Sequence, residues 1–186
     1  MHRAFSIFLF DENGRMLLQK RSDDKILFPA RWTNTCCSHP LFNTRELDDP
    51  PSPTADGVRR AAVRKLGHEL GISAETVGED DLIYMTRILY KAAVEEDAVW
   101  GEHEVDYIFL AQARDIKYSL NPNEVSDVAF VRRGELQQWL DAEAAGRIAL
   151  SPWFRAVAGQ LLPRWWDAML EDNILSLVDR ETIHTL

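Results

Sequence analysis

Short apolar runs separated by polar turns fill the first two thirds of the chain. Ala4–Phe10 (AFSIFLF) and Arg15–Arg21 (RMLLQKR) flank the tetrapeptide Asp11-Glu12-Asn13-Gly14. Apolar runs on both sides of an Asn-Gly pair predict a β-hairpin. Three further apolar runs predict strands: Leu82–Ala92, Val105–Ala113 and Val125–Val131.

The remaining apolar residues recur at helical spacing. Gly57–Leu70 is predicted as a helix that begins at Asp56 or Thr54 and ends at Gly71. Amphipathic helices are also predicted over Arg133–Ala145 and Pro152–Leu170, whereas the prolines of Leu47–Thr54 exclude a helix or a central strand there. The order of elements predicts an α+β fold with a mixed sheet, in one domain covering residues 1–186.

Composition narrows the class of protein. A formal net charge of −9 argues against a nucleic-acid surface, because phosphate backbones require a basic face. No apolar run approaches the roughly 20 residues of a membrane span, and no secretory signal is apparent. The two cysteines are adjacent, at Cys36 and Cys37, where a disulfide would be strained. We therefore expect free thiols in the cytoplasm, or in a reducing organelle if an upstream targeting segment is missing. The oligomeric state is not predicted.

Trp32–Pro40 (WTNTCCSHP) concentrates the chemistry-bearing residue types. On an extended backbone, Cys37 and His39 point to one face and Ser38 to the other. A candidate proton donor then lies beside a candidate metal ligand. Taken singly, however, such a cysteine is more often a small buried hydrophobe, and such a histidine is more often a surface residue.

Glu102-His103-Glu104 is the second concentration of charged side chains. On a strand, Glu102 and Glu104 share a face, and both stay ionised only if a cation or good donors lie between them. Mg²⁺ or Mn²⁺ would serve, with His2 and His39 as nitrogen ligands. The alternative is a solvated acidic loop, because Glu95, Glu96 and Asp97 are close in sequence.

The predicted helix carries Lys65 and Glu69 four residues apart, next to Arg64. Lysine before glutamate is the weaker order for a helix ion pair, whereas a site for Mg²⁺ and phosphate would explain the pair. Arg21 and Lys25 are further cations that can contact phosphate oxygens. The alternative for each of these cations is a solvated surface position.

Together these segments resemble the type I isopentenyl diphosphate isomerase family, a branch of the Nudix fold. The motifs run in the family's order from residue 2 to about residue 154: HRAFSIFLF, LLQKRSDDK, FPARWTNTCCSHP, GVRRAAVRKLGHELGI, WGEHEVDY and SPWF. The resemblance implies a mixed sheet sandwiched between helices. It also implies conversion of isopentenyl diphosphate to dimethylallyl diphosphate in isoprenoid biosynthesis, by protonation and deprotonation around the C=C bond.

The resemblance also assigns roles to residues. It implies a divalent ion, Mg²⁺ or Mn²⁺, held by His2, His39, Glu102 and Glu104, and a second Mg²⁺ that Glu69 binds together with the diphosphate. It implies diphosphate contacts from Arg21, Lys25, Ser38 and Lys65. Cys37 and Glu104, the latter with Tyr90, are implied on opposite sides of the C=C bond, with Trp153 shielding the positive charge.

The chain departs from the family's pattern in three places. The segment Gly57–Ile72 resembles the conserved Nudix box: Arg64 and Glu69 are kept, but Lys65 and His68 stand where glutamates are usual. The family also supplies another metal-binding histidine and a substrate-binding lysine upstream of the segment that here follows Met1, and the segment between Tyr90 and Glu102 is longer by a residue or two. Two alternatives therefore stand beside an isomerase: a non-catalytic or weakened diphosphate-binding protein, and a Nudix pyrophosphohydrolase.

Overall fold

The computed structural model describes residues 1–47, 52–94 and 100–186. These residues form eight strands and four α-helices. The strands are β1 (His2–Phe10), β2 (Met16–Arg21), β3 (Trp32–Thr33), β4 (Cys36–Ser38), β5 (Ile83–Ala93), β6 (Gly101–Gln112), β7 (Val125–Val131) and β8 (Ile183–Thr185). The helices are α1 (Asp56–Leu70), α2 (Leu136–Ala144), α3 (Pro152–Gln160) and α4 (Leu162–Leu170). None of the helices described is long and apolar enough to cross a membrane.

All eight strands belong to one mixed sheet. Its main path runs β3-β2-β1-β6-β5-β8, while β4 pairs with β1 and β7 pairs with β2. The pairs β1–β6 and β5–β8 are parallel and the others are antiparallel. The predicted hairpin is confirmed, because β1 and β2 are antiparallel and Phe10 lies opposite Met16.

The sheet is covered by helices on both faces. From β1, Phe8 and Phe10 pack with Trp166 and the other apolar residues of α3 and α4, whereas Ile7 and Leu9 pack on the other face with α1. A strand buried on both faces reads as an unbroken apolar run, which is the pattern of AFSIFLF. The predicted mixed sheet between helices is thus confirmed.

The helix α1 agrees with its sequence signals. Its buried face includes Val58, Ala61 and Leu66, three of the residues on which the prediction rested. The helix ends where Gly71 adopts a left-handed conformation (φ 64°) and donates its N–H to the carbonyl of Gly67.

The C-terminal helices differ from the prediction. Pro152–Leu170 is two helices rather than one, interrupted at Leu161 (φ −115°), because Pro163 has no N–H to continue the helical hydrogen-bond pattern. The segment predicted as the helix Arg133–Ala145 begins as a 3₁₀ turn, and the α-helix starts only at Leu136.

The strand β6 begins four residues earlier than predicted. Its pairing with β5 extends to Ala93 opposite Gly101, so Glu102 and Glu104 lie in a strand and not in an acidic connection. The short strands β3, β4 and β8 were not predicted. Residues 48–51 of the proline-rich segment, and Glu95, Glu96 and Asp97, lie outside the described residues.

Candidate active site

Four predicted metal ligands come together on the sheet face that α3 and α4 cover. One ligand atom from each of His2, His39, Glu102 and Glu104 lies within 4.8 Å of the other three. The Nε2 atoms of His2 and His39 are 3.0 Å apart, and they lie 2.9 Å and 2.6 Å from Oε1 of Glu104. Nε2 of His2 is also 3.4 Å from Oε2 of Glu102. Two nitrogen and two carboxylate ligands at this separation fit a divalent cation.

Strand register produces this cluster. His2 of β1 is the partner of Glu104 in the parallel pair β1–β6, and Tyr90 of β5 is the partner of Glu104 in the antiparallel pair β5–β6. Side chains at paired positions point to the same face of a sheet, so the three form a row across three strands. His39 joins the row from beyond the end of β4, a strand that pairs with β1.

The carboxylate of Glu104 is buried and has partners on both oxygens. The hydroxyl of Tyr90 donates a short hydrogen bond to Oε2, and the two histidines contact Oε1. Burial alone would raise the pKa of Glu104, but the hydrogen bonds from His39 and Tyr90 hold the pKa below its ordinary value. For Glu102, burial and the nearby charge of Glu104 raise the pKa. Burial and that same charge raise the pKa of Tyr90 far above its ordinary value.

A cavity of about 110 Å³ opens beside this cluster. The side chains of Cys37 and Glu104 both line it, together with Ser38 and His39. An apolar cavity of about 150 Å³ admits benzene, so a volume of this order accommodates a five-carbon chain. Burial, the largest influence, raises the pKa of Cys37 to about 12.

The two adjacent cysteines face opposite sides of the sheet. Cys37 packs against the α3 side, whereas Cys36 is fully buried on the α1 side with its sulfur 3.5 Å from Oε2 of Glu69. Alternation along β4 causes this separation, as expected for consecutive residues of a strand. Only Cys37 of the pair reaches the cavity.

Two aromatic side chains, Trp153 and Tyr90, line the cavity. The side chain of Trp153 is 5% exposed, and its ring centroid lies 6.1 Å from that of Tyr90. The indole N–H of Trp153 donates to Oδ1 of Asn34 over 3.1 Å, which fixes the orientation of the ring. Asn34 is itself buried and donates to the carbonyl of Cys36 over 2.9 Å. The tryptophan ring is therefore held by the same segment that carries the cysteines.

Two cations also line the cavity. The guanidinium of Arg21 donates to the carbonyls of Leu27 and Phe28 and lies 5.4 Å from the centroid of the Trp153 ring. Among the described residues, no carboxylate pairs with Arg21. The ammonium of Lys25 forms a short ion pair with Glu124.

The predicted site residues of α1 do not line this cavity. Nζ of Lys65 lies 2.9 Å from Oε1 of Glu69 and 3.3 Å from Oε1 of Glu124, and Gln19 donates to Oε2 of Glu69 over 3.1 Å. This network is on the other face of the sheet, and its Glu124 also pairs with Lys25, which lines the cavity. The roles of Lys65 and Glu69 in binding the diphosphate stay predictions.

One charged residue of the cavity lining was missed. Asp106 is buried, and Ser6 donates to its Oδ2 over 2.7 Å, while Oδ1 has no hydrogen-bond partner among the described residues. Burial, reinforced by the charge of Glu104, raises the pKa of Asp106 well above its ordinary value. Asp106 follows Glu102 and Glu104 at the same two-residue spacing, so strand alternation could have placed it on the same face.

Comparison with known proteins identifies the class of protein to which the fold belongs. Residues 1–154 match the model of the NUDIX domain. The fold resembles that of a NUDIX hydrolase from Alicyclobacillus acidocaldarius, with a TM-score of 0.63 and 10% identity over 86% of this chain and 90% of that one. It also resembles the NUDIX domain of Shewanella oneidensis NrtR, solved with ADP ribose, with a TM-score of 0.56 and 13% identity over 88% of each chain. At these identities the likeness shows the fold alone.

Sequence relatives narrow the class further. The chain is 46% identical over its full length to Isopentenyl-diphosphate Delta-isomerase 1 of Bos taurus and spans 78% of that protein. It is 47% identical to Isopentenyl-diphosphate Delta-isomerase II of Clarkia xantiana but spans only 63% of it. The chain therefore belongs to the isopentenyl-diphosphate Delta-isomerase family, within the NUDIX fold.

Proposed function

We propose that this chain converts isopentenyl diphosphate into dimethylallyl diphosphate. The observation that carries the proposal is the shared cavity: a thiol, Cys37, and a hydrogen-bonded carboxylate, Glu104, line one space of about 110 Å³. Membership of the isomerase family supports the same reaction.

The reaction needs two proton-transfer groups. A proton adds to the terminal carbon of the double bond and gives a tertiary carbocation, and a proton then leaves the CH₂ group on the other side of the cationic carbon, so one proton is gained and one is lost. Two separate groups are required because the two carbons are distinct and the transfers occur in sequence. Cys37 is one of these groups, and Glu104, hydrogen-bonded to Tyr90, is the other.

The metal cluster would keep the carboxylate in place. His2, His39, Glu102 and Glu104 would hold a divalent ion, Mg²⁺ or Mn²⁺, since their four ligand atoms already lie within 4.8 Å of one another. When bound, such an ion supplies charge neutralisation and lowers the pKa of groups attached to it. Imidazole ligands favour Mn²⁺ over Mg²⁺, because Mg²⁺ prefers oxygen ligands.

The cations at the cavity would bind the diphosphate. Arg21 lacks a carboxylate partner among the described residues, and Lys25 uses one of its three donors on Glu124, so both retain donors for phosphate oxygens. Ser38, which also lines the cavity, would contribute a further contact.

The two aromatic rings at the cavity would protect the carbocation. Water would capture a tertiary cation, and the rings of Trp153 and Tyr90 line the cavity with their centroids 6.1 Å apart. An aromatic face also stabilises a positive charge by roughly 0.5–2 kcal/mol.

The test is an isomerase assay with a matched pair of variants. The wild-type chain should form dimethylallyl diphosphate in the presence of Mg²⁺ or Mn²⁺, and Cys37→Ala should abolish turnover. Cys36→Ala is the control, because it removes the neighbouring thiol from the opposite face of the sheet. Undiminished turnover in Cys37→Ala would refute the mechanism.

Two other results would favour the alternatives. Binding of isopentenyl diphosphate without turnover, at saturating Mn²⁺, would indicate a non-catalytic diphosphate-binding protein. Release of phosphate from nucleoside diphosphate derivatives would indicate a pyrophosphohydrolase, although Lys65 and His68 occupy positions that glutamates usually take in that chemistry.

A further inference from the structure

His39 supplies a ligand atom to the metal cluster from outside regular structure. It directly follows β4, which ends at Ser38, and it precedes Pro40, which has no N–H to donate. Its ring must nevertheless hold Nε2 within 2.6 Å of Glu104. The backbone at His39 therefore needs an anchor that the sheet does not supply.

Arg64 of α1 provides that anchor. Its Nη2 atom donates to the backbone carbonyl of His39 over 3.2 Å. The same guanidinium makes a two-pronged ion pair with Glu46, with Nε 2.8 Å from Oε1 and Nη2 3.0 Å from Oε2. Two parallel bonds from one planar group fix orientation as well as distance.

Glu46 connects Arg64 to the loop that follows His39. It is 5% exposed, and its Oε2 also accepts the backbone N–H of Leu41 over 2.8 Å. One carboxylate thus joins the loop that follows His39 to the guanidinium on α1. Although burial alone would raise the pKa of Glu46, the hydrogen bonds from Arg64 and Leu41 hold it below its ordinary value.

We infer that the Arg64–Glu46 ion pair is a positioning device for the metal ligand His39. Neither residue lines the cavity or supplies a ligand atom to the cluster. Their effect passes through the backbone of His39 and the loop after it, which they tie to a helix whose other face is buried in the core. The inference rests on the proposed metal site.

The test is a charge-preserving substitution. Arg64→Lys keeps the positive charge but cannot form the two-pronged pair and reach the His39 carbonyl at once. Loss of a group that orients a metal ligand typically weakens metal affinity by roughly 10–100-fold. We expect Arg64→Lys to weaken Mn²⁺ binding at least about 10-fold by calorimetry, without substrate, and Glu46→Gln to act in the same direction.

The control is an ion pair of the same geometry elsewhere. Arg133 pairs with Asp167 through Nε and Nη2, at 2.7 Å and 3.0 Å, on the exposed surface. Arg133→Lys should leave Mn²⁺ affinity within about twofold of the wild type. Equal affinities in Arg64→Lys and Arg133→Lys would overturn the inference.

A second measurement separates this inference from the proposed function. In the metal-free protein, hydrogen exchange of the Leu41 amide should be faster in Glu46→Gln and Arg64→Lys than in the wild type, because that amide loses a fixed acceptor. If the wild type bound no Mn²⁺, the proposed metal site would be wrong, and the exchange rate would still decide whether the ion pair holds the loop. Unchanged exchange in both variants would overturn the inference.

Discussion

The hydrogen bond from Tyr90 to Glu104 gives a quantitative test of the site. Tyr90→Phe removes one hydroxyl while keeping the ring that packs near Trp153. Both side chains are only about 6% exposed, so in the variant bulk water has little access to replace the lost donor at Oε2. A hydrogen bond to a charged group contributes about 1.5–3 kcal/mol. We therefore expect the free energy of unfolding to fall by that amount at pH 7.

The pH dependence of this loss has a definite sign. The pKa of Glu104 is lowered in the folded protein, so Glu104 adds stability above its unfolded pKa, and this stability is lost as the pH falls through the folded pKa. The Tyr90 hydroxyl is one cause of that lowering. The difference between wild type and Tyr90→Phe should accordingly be largest near neutral pH and should shrink below about pH 4.3.

The assay is urea-induced unfolding of the metal-free protein between pH 3 and pH 8. Tyr118→Phe, at a tyrosine that is 45% exposed, serves as the control and should change stability by less than about 0.5 kcal/mol. If Tyr90→Phe and Tyr118→Phe were equally stable at pH 7, the hydrogen bond would not contribute as argued. Tyr90→Phe should also lower kcat by about 10- to 100-fold, at 1.36 kcal/mol per factor of ten.

Further predictions concern α1. Lys65→Met leaves the buried carboxylate of Glu69 without its ammonium partner and beside the partly buried Glu124, and should destabilise the protein by about 3–5 kcal/mol at pH 7, measured by urea unfolding. Although burial alone would lower the pKa of Lys65, the two glutamates raise it. The contribution of Lys65 to the free energy of unfolding is therefore present below its unfolded pKa and should fade only in strongly alkaline solution. If the stability of the wild type and that of Lys65→Met changed equally in alkaline solution, this reasoning would be contradicted. Leu66→Ala should lower the free energy of unfolding by about 2–5 kcal/mol because the side chain is fully buried. Leu175→Ala, at an exposed position, should leave it almost unchanged when both variants are compared by thermal unfolding.

Much of the fold could be predicted because its signals are local. The hairpin follows from an Asn-Gly pair between apolar runs, and α1 follows from apolar spacing that ends at Gly71. The strands that were missed are those that a distant partner decides. β3, β4 and β8 have two or three residues each and exist only because they pair with strands remote in sequence.

In the candidate site, too, local sequence patterns predicted some features and missed those that depend on distant partners. Strand alternation correctly separated Glu102 and Glu104 from His103. It did not indicate that Lys65 and Glu69 would not line the cavity, because that depends on which face of the sheet α1 covers, and their roles with the diphosphate stay predictions. Asp106 was overlooked although its spacing carried the information.

The sequence by itself determined the strand and helix periods, the residue types available for chemistry and the family resemblance, because each of these depends on neighbours a few positions apart. Only the tertiary structure decided that His2, His39 and Glu104 meet, since they are separated by 37, 65 and 102 positions along the chain. Strand register brings them together: the parallel pairing of β1 with β6 places His2 beside Glu104, and the pairing of β4 with β1 delivers His39 to the same point. Register is a property of the whole sheet, so no local pattern could have fixed it.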